Sequence, residues 1–182
     1  MNLPNKLTML RVCMIPFFIF FLLDTKIPHG NYIACAIFIL ASLTDWFDGY
    51  LARKHNLVTN FGKFMDPLAD KLLVSSALIF FLAVDSIHMP AWVVIVIISR
   101  EFIISGFRLV ASDNGVVIAA SYWGKFKTAS QMVMSILLML QINLTFFRVA
   151  TKVFIYISVI LTIVSLVDYI IKNKNVLSEG GK

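Results

Sequence analysis

Charged residues are scarce in this sequence. Only 14% of the 182 residues are charged, whereas a typical soluble domain has about 25%. Hydrophobic residues make up 59% of the chain, which is more than a soluble protein of this length can bury. We therefore expect lipid to surround much of the surface, and the length predicts a single domain.

Cysteine and histidine are too few and too scattered to form a site. Cys13 and Cys35 lie within apolar stretches and not in a Cys-x-x-Cys pair, which indicates small core or lipid-facing residues. His29, His55 and His88 lack the spacing of metal ligands. The sequence therefore predicts neither a disulfide nor a zinc site.

The net charge of +6 does not come from a basic segment interleaved with aromatic residues, so we expect no nucleic-acid partner. The basic residues instead flank apolar stretches, as they do beside anionic lipid headgroups. If the N-terminus is cytoplasmic, thirteen of the sixteen Lys and Arg residues lie on the cytoplasmic side, and only Lys26, Arg148 and Lys152 lie opposite.

Six apolar stretches are long enough to cross a bilayer as helices, which takes about 20 residues each. The first has no small-x-small cleavage site after it, which indicates a retained span rather than a signal peptide. A short amphipathic helix before it, with Lys6, Leu7, Leu10 and Arg11, is expected to lie along the membrane interface. The predicted fold is an all-α integral membrane protein with six transmembrane helices and this N-terminal juxtamembrane helix. The predicted spans are residues 8–24, 31–52, 67–85, 90–112, 126–143 and 149–171.

These spans give one domain over residues 1–172 and a polar cytoplasmic tail over residues 173–182. An even number of spans places both termini on the cytoplasmic side, in agreement with the distribution of Lys and Arg.

Four aspartates lie at one predicted depth. Asp45 and Asp48 are near the cytoplasmic end of the second span, and Asp66 and Asp70 are near the cytoplasmic start of the third. A carboxylate within a span costs about 3 kcal/mol unless something compensates it, which makes these residues functional candidates. Each pair shares a helix face, and consecutive spans are expected to be adjacent and antiparallel. The two pairs can therefore converge.

Four clustered carboxylates have two possible roles. They can share protons, as in a cation or proton transporter, or bind hard divalent cations such as Mg²⁺, Mn²⁺ or Ca²⁺. The neighbouring residues favour metal together with a phosphate. Gly49 and Ala52 permit close approach to the helix backbone, Arg53 can bind phosphate oxygens, and Gly62 and Lys63 precede the second acidic pair. Acids toward one membrane face also argue against a transporter, in which they are expected near the midplane.

In order, these residues resemble the signature of the CDP-alcohol phosphatidyltransferase family. The pattern is Asp45-x-x-Asp48-Gly49-x-x-Ala52-Arg53, then eight residues, then Gly62-x-x-x-Asp66-x-x-x-Asp70. The resemblance extends over the whole chain, including the six spans and an N-terminal pattern that such proteins share, Pro4-Asn5-x-Leu7-Thr8-x-x-Arg11.

This resemblance implies transfer of a phosphatidyl group from CDP-diacylglycerol to a small alcohol, by a homodimer in the bacterial cytoplasmic (inner) membrane. It implies that Asp45, Asp48, Asp66 and Asp70 hold two Mg²⁺ or Mn²⁺ ions and that Asp70 is also the general base. The CDP-lipid is expected to contact the residues around the signature and in the N-terminal pattern: Asn5, Thr8, Gly49, Ala52, Arg53, Gly62 and Lys63.

The second half of the chain offers cations for the acceptor alcohol. Arg100, Arg108, Lys125 and Lys127 are expected near the cytoplasmic end that carries the aspartates, where they can bind an anionic acceptor. The lysines have an alternative role as ordinary basic flanks, and Arg100 can instead form a structural pair with Glu101. This half resembles the family members whose acceptor is glycerol 3-phosphate, although inositol phosphate, serine and phosphatidylglycerol remain alternative acceptors.

Overall fold

The structure is a computed structural model of the chain. It describes residues 3–24, 26–54, 60–84, 86–113, 118 and 121–174. Within these ranges every regular element is a helix, which confirms the predicted all-α fold. The six helices match the six apolar stretches in order: α1 (Leu3–Leu23), α2 (Gly30–Lys54), α3 (Asn60–Ala83), α4 (Ala91–Asp113), α5 (Tyr122–Leu140) and α6 (Thr145–Lys172).

Several helices extend beyond the apolar stretches that predicted them. α3 begins at Asn60 rather than at residue 67, and α5 begins at Tyr122 rather than at residue 126. Each extension contains a glycine followed by a lysine, Gly62-Lys63 and Gly124-Lys125, which lower the local hydropathy although the backbone hydrogen bonds of the helix continue. The extension of α5 brings Lys125 into its first turn.

α1 is one uninterrupted helix, so the predicted separate juxtamembrane helix is instead its first part. One face of α1 is buried along its length, and its residues recur at helical spacing. This face carries the polar residues Asn5, Thr8 and Arg11 and then the apolar residues Phe18 and Leu22. The expectation that Arg11 lies along the membrane interface is wrong. Its side chain is fully buried because it continues the face of α1 that packs against α2 and α3.

The chain forms two compact units, of which the first comprises residues 1–88 and 138–141. Within it, α1 and α2 form a helical hairpin in which the ring of Phe18 meets that of Phe38 edge to face, with centroids 6.1 Å apart. The turn leaves no room for a side chain at Gly30, where a Cβ would lie 2.6 Å from the carbonyl oxygen of Phe21. The side-chain amide of Asn31 donates to the carbonyls of Met139 and Leu140, at 3.2 and 3.3 Å.

The second unit comprises residues 89–137 and 142–182, with α4 packed against α6. The distribution of polar and apolar side chains in this unit is the reverse of that in a soluble protein. Large apolar side chains such as Ile95, Phe102 and Phe146 are exposed. Polar and charged side chains are buried within it: Arg100, Lys127, Ser130, Gln131, Ser135, Ser158, Thr162 and Ser165. Buried hydroxyl and amide groups between helices with an apolar exterior are typical of membrane proteins.

Two helices within the described ranges are long and apolar enough to cross a membrane, over Asn5–Leu23 and Thr145–Lys172. A shorter apolar stretch lies in Gly30–Thr44. α4 carries Arg100 and Glu101 near its middle, so its hydropathy alone does not identify a span. The structure is therefore all-helical with an apolar exterior, and the count of six membrane crossings stays a prediction.

Candidate functional site

The two acid pairs lie at similar distances from the adjoining ends of α2 and α3, which pack against each other in the first unit. Asp48 lies six residues before the end of α2, and Asp66 lies six residues after the start of α3. At about 1.5 Å per residue, each is about 9 Å from the end of its helix. By the same count Asp45 and Asp70 are about 14 and about 15 Å from theirs. The backbone register thus fits one cluster of four carboxylates.

The structure describes only part of this cluster at the level of side chains. Asp70 is half-buried, and the other three aspartates lie outside the described side chains. Among the described residues no group of three or more His, Cys, Asp or Glu side chains is close enough to hold a metal ion. Five residues of the predicted CDP-lipid site also lie outside the described side chains: Gly49, Ala52, Arg53, Gly62 and Lys63.

The polar end of α1 lies at the level of the acidic positions of α2. Phe18 on α1 contacts Phe38 on α2. Arg11 lies seven residues before Phe18, and Asp45 lies seven residues after Phe38, in the same direction along the antiparallel hairpin. Seven residues are about two helical turns, so both positions return to the same faces at the same depth. Thr8, another turn along the buried face, belongs to the same region of the hairpin.

Sequence reasoning missed the buried position of Arg11. The signal that could have found it is the spacing of three residues from Asn5 to Thr8 and from Thr8 to Arg11, which puts all three on one helix face. A fully buried arginine is rare unless it is paired. Arg11 therefore joins Asn5 and Thr8 as a polar residue of the candidate site.

In the second unit, the structure brings together two of the four predicted acceptor residues. The carboxylate oxygen Oε1 of Glu101 accepts hydrogen bonds from the ammonium group of Lys127 and from Nη1 of Arg100, the latter at 3.2 Å. Nη2 of Arg100 also donates to the hydroxyl oxygen of Ser165. Arg100 and Lys127 are both buried, so this network connects α4, α5 and α6 inside the unit.

The start of α5 borders the same network. Ser121 precedes the helix and its hydroxyl oxygen accepts a hydrogen bond of 3.2 Å from the backbone N–H of Gly124, which is a side-chain cap. Gly124 faces the guanidinium group, because a Cβ there would lie 3.5 Å from Nη2 of Arg100. The positive end of the α5 dipole therefore lies beside a buried cation, an arrangement that favours an anion.

The other two predicted acceptor residues are exposed. The guanidinium carbon of Arg108 lies 5.9 Å from the centre of the Tyr169 ring, which is a cation–π contact with α6. Arg108 is seven residues after Glu101 and thus about 10 Å further along nearly the same face of α4. Lys125 lies in the first turn of α5 with its side chain exposed. Both side chains are accessible to a ligand without breaking a buried ion pair.

The chain matches known proteins over most of its length. The family model described as CDP-alcohol phosphatidyltransferase matches residues 1–164. A Bacillus subtilis protein named CDP-diacylglycerol–glycerol-3-phosphate 3-phosphatidyltransferase is 47% identical, with 98% of each chain covered. Proteins of the same name from Haemophilus influenzae and Shigella flexneri are 42% and 39% identical, and 93% of this chain is covered in each case.

These matches include the region of the aspartate signature and both helical units. Because the family model covers most of the chain and the relatives align over nearly their full lengths, the chain belongs to the CDP-alcohol phosphatidyltransferase family.

Proposed function

We propose that this chain transfers the phosphatidyl group of CDP-diacylglycerol to sn-glycerol 3-phosphate, which gives phosphatidylglycerophosphate and CMP. It would then be a phosphatidylglycerophosphate synthase. The observation that carries the proposal is the position of the two aspartate pairs at similar distances from the adjoining ends of α2 and α3, which pack against each other. The names of the bacterial relatives support the choice of donor and acceptor.

The four aspartates fit the metal ions that the family resemblance implies. Four carboxylates without His or Cys provide hard oxygen ligands, which suit Mg²⁺ or Mn²⁺. In this proposal Asp45, Asp48, Asp66 and Asp70 hold two such ions. When bound, the ions neutralise the diphosphate of the CDP-lipid and stabilise the charge that develops during transfer.

The remaining chemistry belongs to residues of the chain. Asp70 accepts the proton of the free primary hydroxyl group of glycerol 3-phosphate, whose oxygen forms a bond with the β-phosphorus of the CDP-lipid. The bond from that phosphorus to the bridging oxygen breaks, and CMP leaves with the bridging oxygen. Arg53 and Lys63 bind phosphate oxygens of the donor, while Gly49, Ala52 and Gly62 leave room for its headgroup.

The acceptor phosphate is assigned to the cations of the second unit. Arg108 and Lys125 are exposed and can donate hydrogen bonds to a phosphate directly. Arg100 and Lys127 adjoin the N-terminus of α5, where the helix dipole adds to their attraction for an anion. A phosphorylated alcohol suits such a site better than serine does.

The proposal places the enzyme in the bacterial inner membrane. Six spans, with both termini in the cytoplasm, account for the apolar exterior of the helices and for the distribution of Lys and Arg. Labelling of single cysteines placed at Lys26 and Lys174 from either side of sealed vesicles tests the orientation. Light scattering of the detergent-solubilised protein tests the homodimer that the family resemblance implies.

The direct test of the reaction is to combine purified protein in mixed micelles with CDP-diacylglycerol, glycerol 3-phosphate and Mg²⁺. We expect release of CMP together with one new anionic lipid. Chelation should abolish the reaction, and added Mg²⁺ or Mn²⁺ should restore it. The matched control is Asp66→Asn, which removes one metal ligand and is expected to lower kcat by about a hundredfold or more. Full turnover in excess chelator would refute the metal site.

A further inference from the structure

We propose that Glu101 is a positioning residue that holds the ammonium group of Lys127 in place for the acceptor phosphate. This inference rests on the proposed function, because it concerns the acceptor site of that reaction. The sequence alone indicates Glu101 only as a structural partner of Arg100. The structure adds Lys127 to the same carboxylate oxygen.

The geometry places Glu101 in a hydrogen-bond network that joins three helices. Its Oε1 atom accepts from Arg100 on its own helix, α4, and from Lys127 on α5. Arg100 in turn donates to Ser165 on α6. The Glu101 side chain is 17% exposed and that of Lys127 only 3%. The carboxylate therefore remains accessible at its edge while the cation that it binds is almost completely enclosed.

Burial explains why Lys127 needs this partner. An ammonium group removed from water carries a desolvation penalty of several kcal/mol unless a counter-charge offsets it. Arg100 adds repulsion, because a second cation shares the same carboxylate oxygen. Without the Glu101 carboxylate, the Lys127 ammonium group would lose a charged partner that fixes its position, and the site would lose a fixed cation.

If Glu101 had only a structural role, its loss would not be expected to change the KM for one substrate and leave the other KM unchanged. If Glu101 acts through Lys127, its loss raises the KM for glycerol 3-phosphate and leaves the KM for CDP-diacylglycerol unchanged. The effect should also disappear when Lys127 has already been removed, because coupled residues are not additive.

The experiment measures kcat and both KM values for Lys127→Met, Glu101→Gln and the double variant in mixed micelles. We expect each single variant to raise the KM for glycerol 3-phosphate about tenfold, and the double variant to match Lys127→Met within about twofold. The control is Asp168→Asn, which breaks a separate ion pair of this unit, to Lys172 at 2.6 Å, and is expected to leave both KM values unchanged.

Three outcomes would overturn the positioning role. An unchanged KM in Glu101→Gln, with a raised KM in Lys127→Met, would refute it and leave the acceptor site intact. Multiplication of the two effects in the double variant would show that Glu101 acts independently of Lys127. An unchanged KM in Lys127→Met would refute the acceptor assignment of Lys127 itself and the positioning role with it. If Glu101→Gln fails to fold, Glu101→Asp, which keeps the charge but shortens the side chain by one methylene group, takes its place, and an unchanged KM for glycerol 3-phosphate in that variant would refute the positioning role.

Discussion

The guanidinium group of Arg100 donates hydrogen bonds to both Glu101 on α4 and Ser165 on α6. This relationship separates the predicted acceptor residues into two kinds. Arg100 and Lys127 are buried within a network that connects helices, whereas Arg108 and Lys125 are exposed. Substitution of a buried member should therefore lower stability in addition to any effect on the acceptor, whereas substitution of an exposed member should affect the acceptor alone.

Arg100→Ala is expected to lower the stability of the protein before it affects acceptor binding. The variant leaves Glu101 without one of its cations and Ser165 without its donor, which amounts to about 3 kcal/mol or more. Thermal unfolding in detergent should show a large loss of Tm. Ser165→Ala, which removes a single hydrogen bond, should lower stability by only about 1 kcal/mol. An Arg100→Ala protein with the Tm of the wild type would contradict the structural role.

Arg108→Ala and Lys125→Ala are expected to change kinetics and leave folding intact. A charge-assisted hydrogen bond to phosphate contributes about 1.5–3 kcal/mol, so each variant should raise the KM for glycerol 3-phosphate about tenfold or more. The KM for CDP-diacylglycerol should remain nearly unchanged. Lys152→Ala, on the opposite predicted side of the membrane, is the control. Equal weakening of both substrates would argue against a separate acceptor-phosphate site and for an unphosphorylated acceptor.

Asp70→Asn should separate catalysis from donor binding. The amide cannot accept the proton of the attacking hydroxyl group, so kcat is expected to fall by about a hundredfold or more. Binding of CMP, measured by calorimetry in the presence of Mg²⁺, should weaken much less than kcat falls. A variant with nearly normal kcat would place the base elsewhere, and Asp66 would be the next candidate.

Gly30→Ala should destabilise the α1–α2 hairpin. The new methyl group would lie 2.6 Å from the carbonyl oxygen of Phe21, and this backbone atom cannot rotate away. We expect a loss of about 2 kcal/mol, measured as a lower Tm. Gly106→Ala is the matched control, because beyond its own helix backbone and chain neighbours no atom of the described residues lies within 4 Å of its Cβ position, and alanine favours helix by about 1 kcal/mol. A Tm unchanged by Gly30→Ala would contradict this packing.

The sequence predicted the six helices and their order because each contains an apolar stretch that polar or helix-breaking residues separate from the next. It also placed both acid pairs on helices, since the spacing within each pair matches the helical period. It did not predict the burial of Arg11. A hydropathy pattern indicates that a charged residue near the N-terminus borders the apolar span, and it carries no information about packing between helices. Arg100 and Lys127 both bind Glu101, and this depends on how α5 packs against α4. Such packing between helices cannot be read from the local sequence pattern.

The most direct test of the proposed reaction is a competition among acceptors. Purified protein receives labelled CDP-diacylglycerol, Mg²⁺ and equal concentrations of glycerol 3-phosphate, inositol phosphate, serine and phosphatidylglycerol, and the lipid products are separated by chromatography. We predict that phosphatidylglycerophosphate carries nearly all of the label and that CMP appears in equal amount. A labelled product from any of the other three acceptors, without phosphatidylglycerophosphate, would contradict the proposed function.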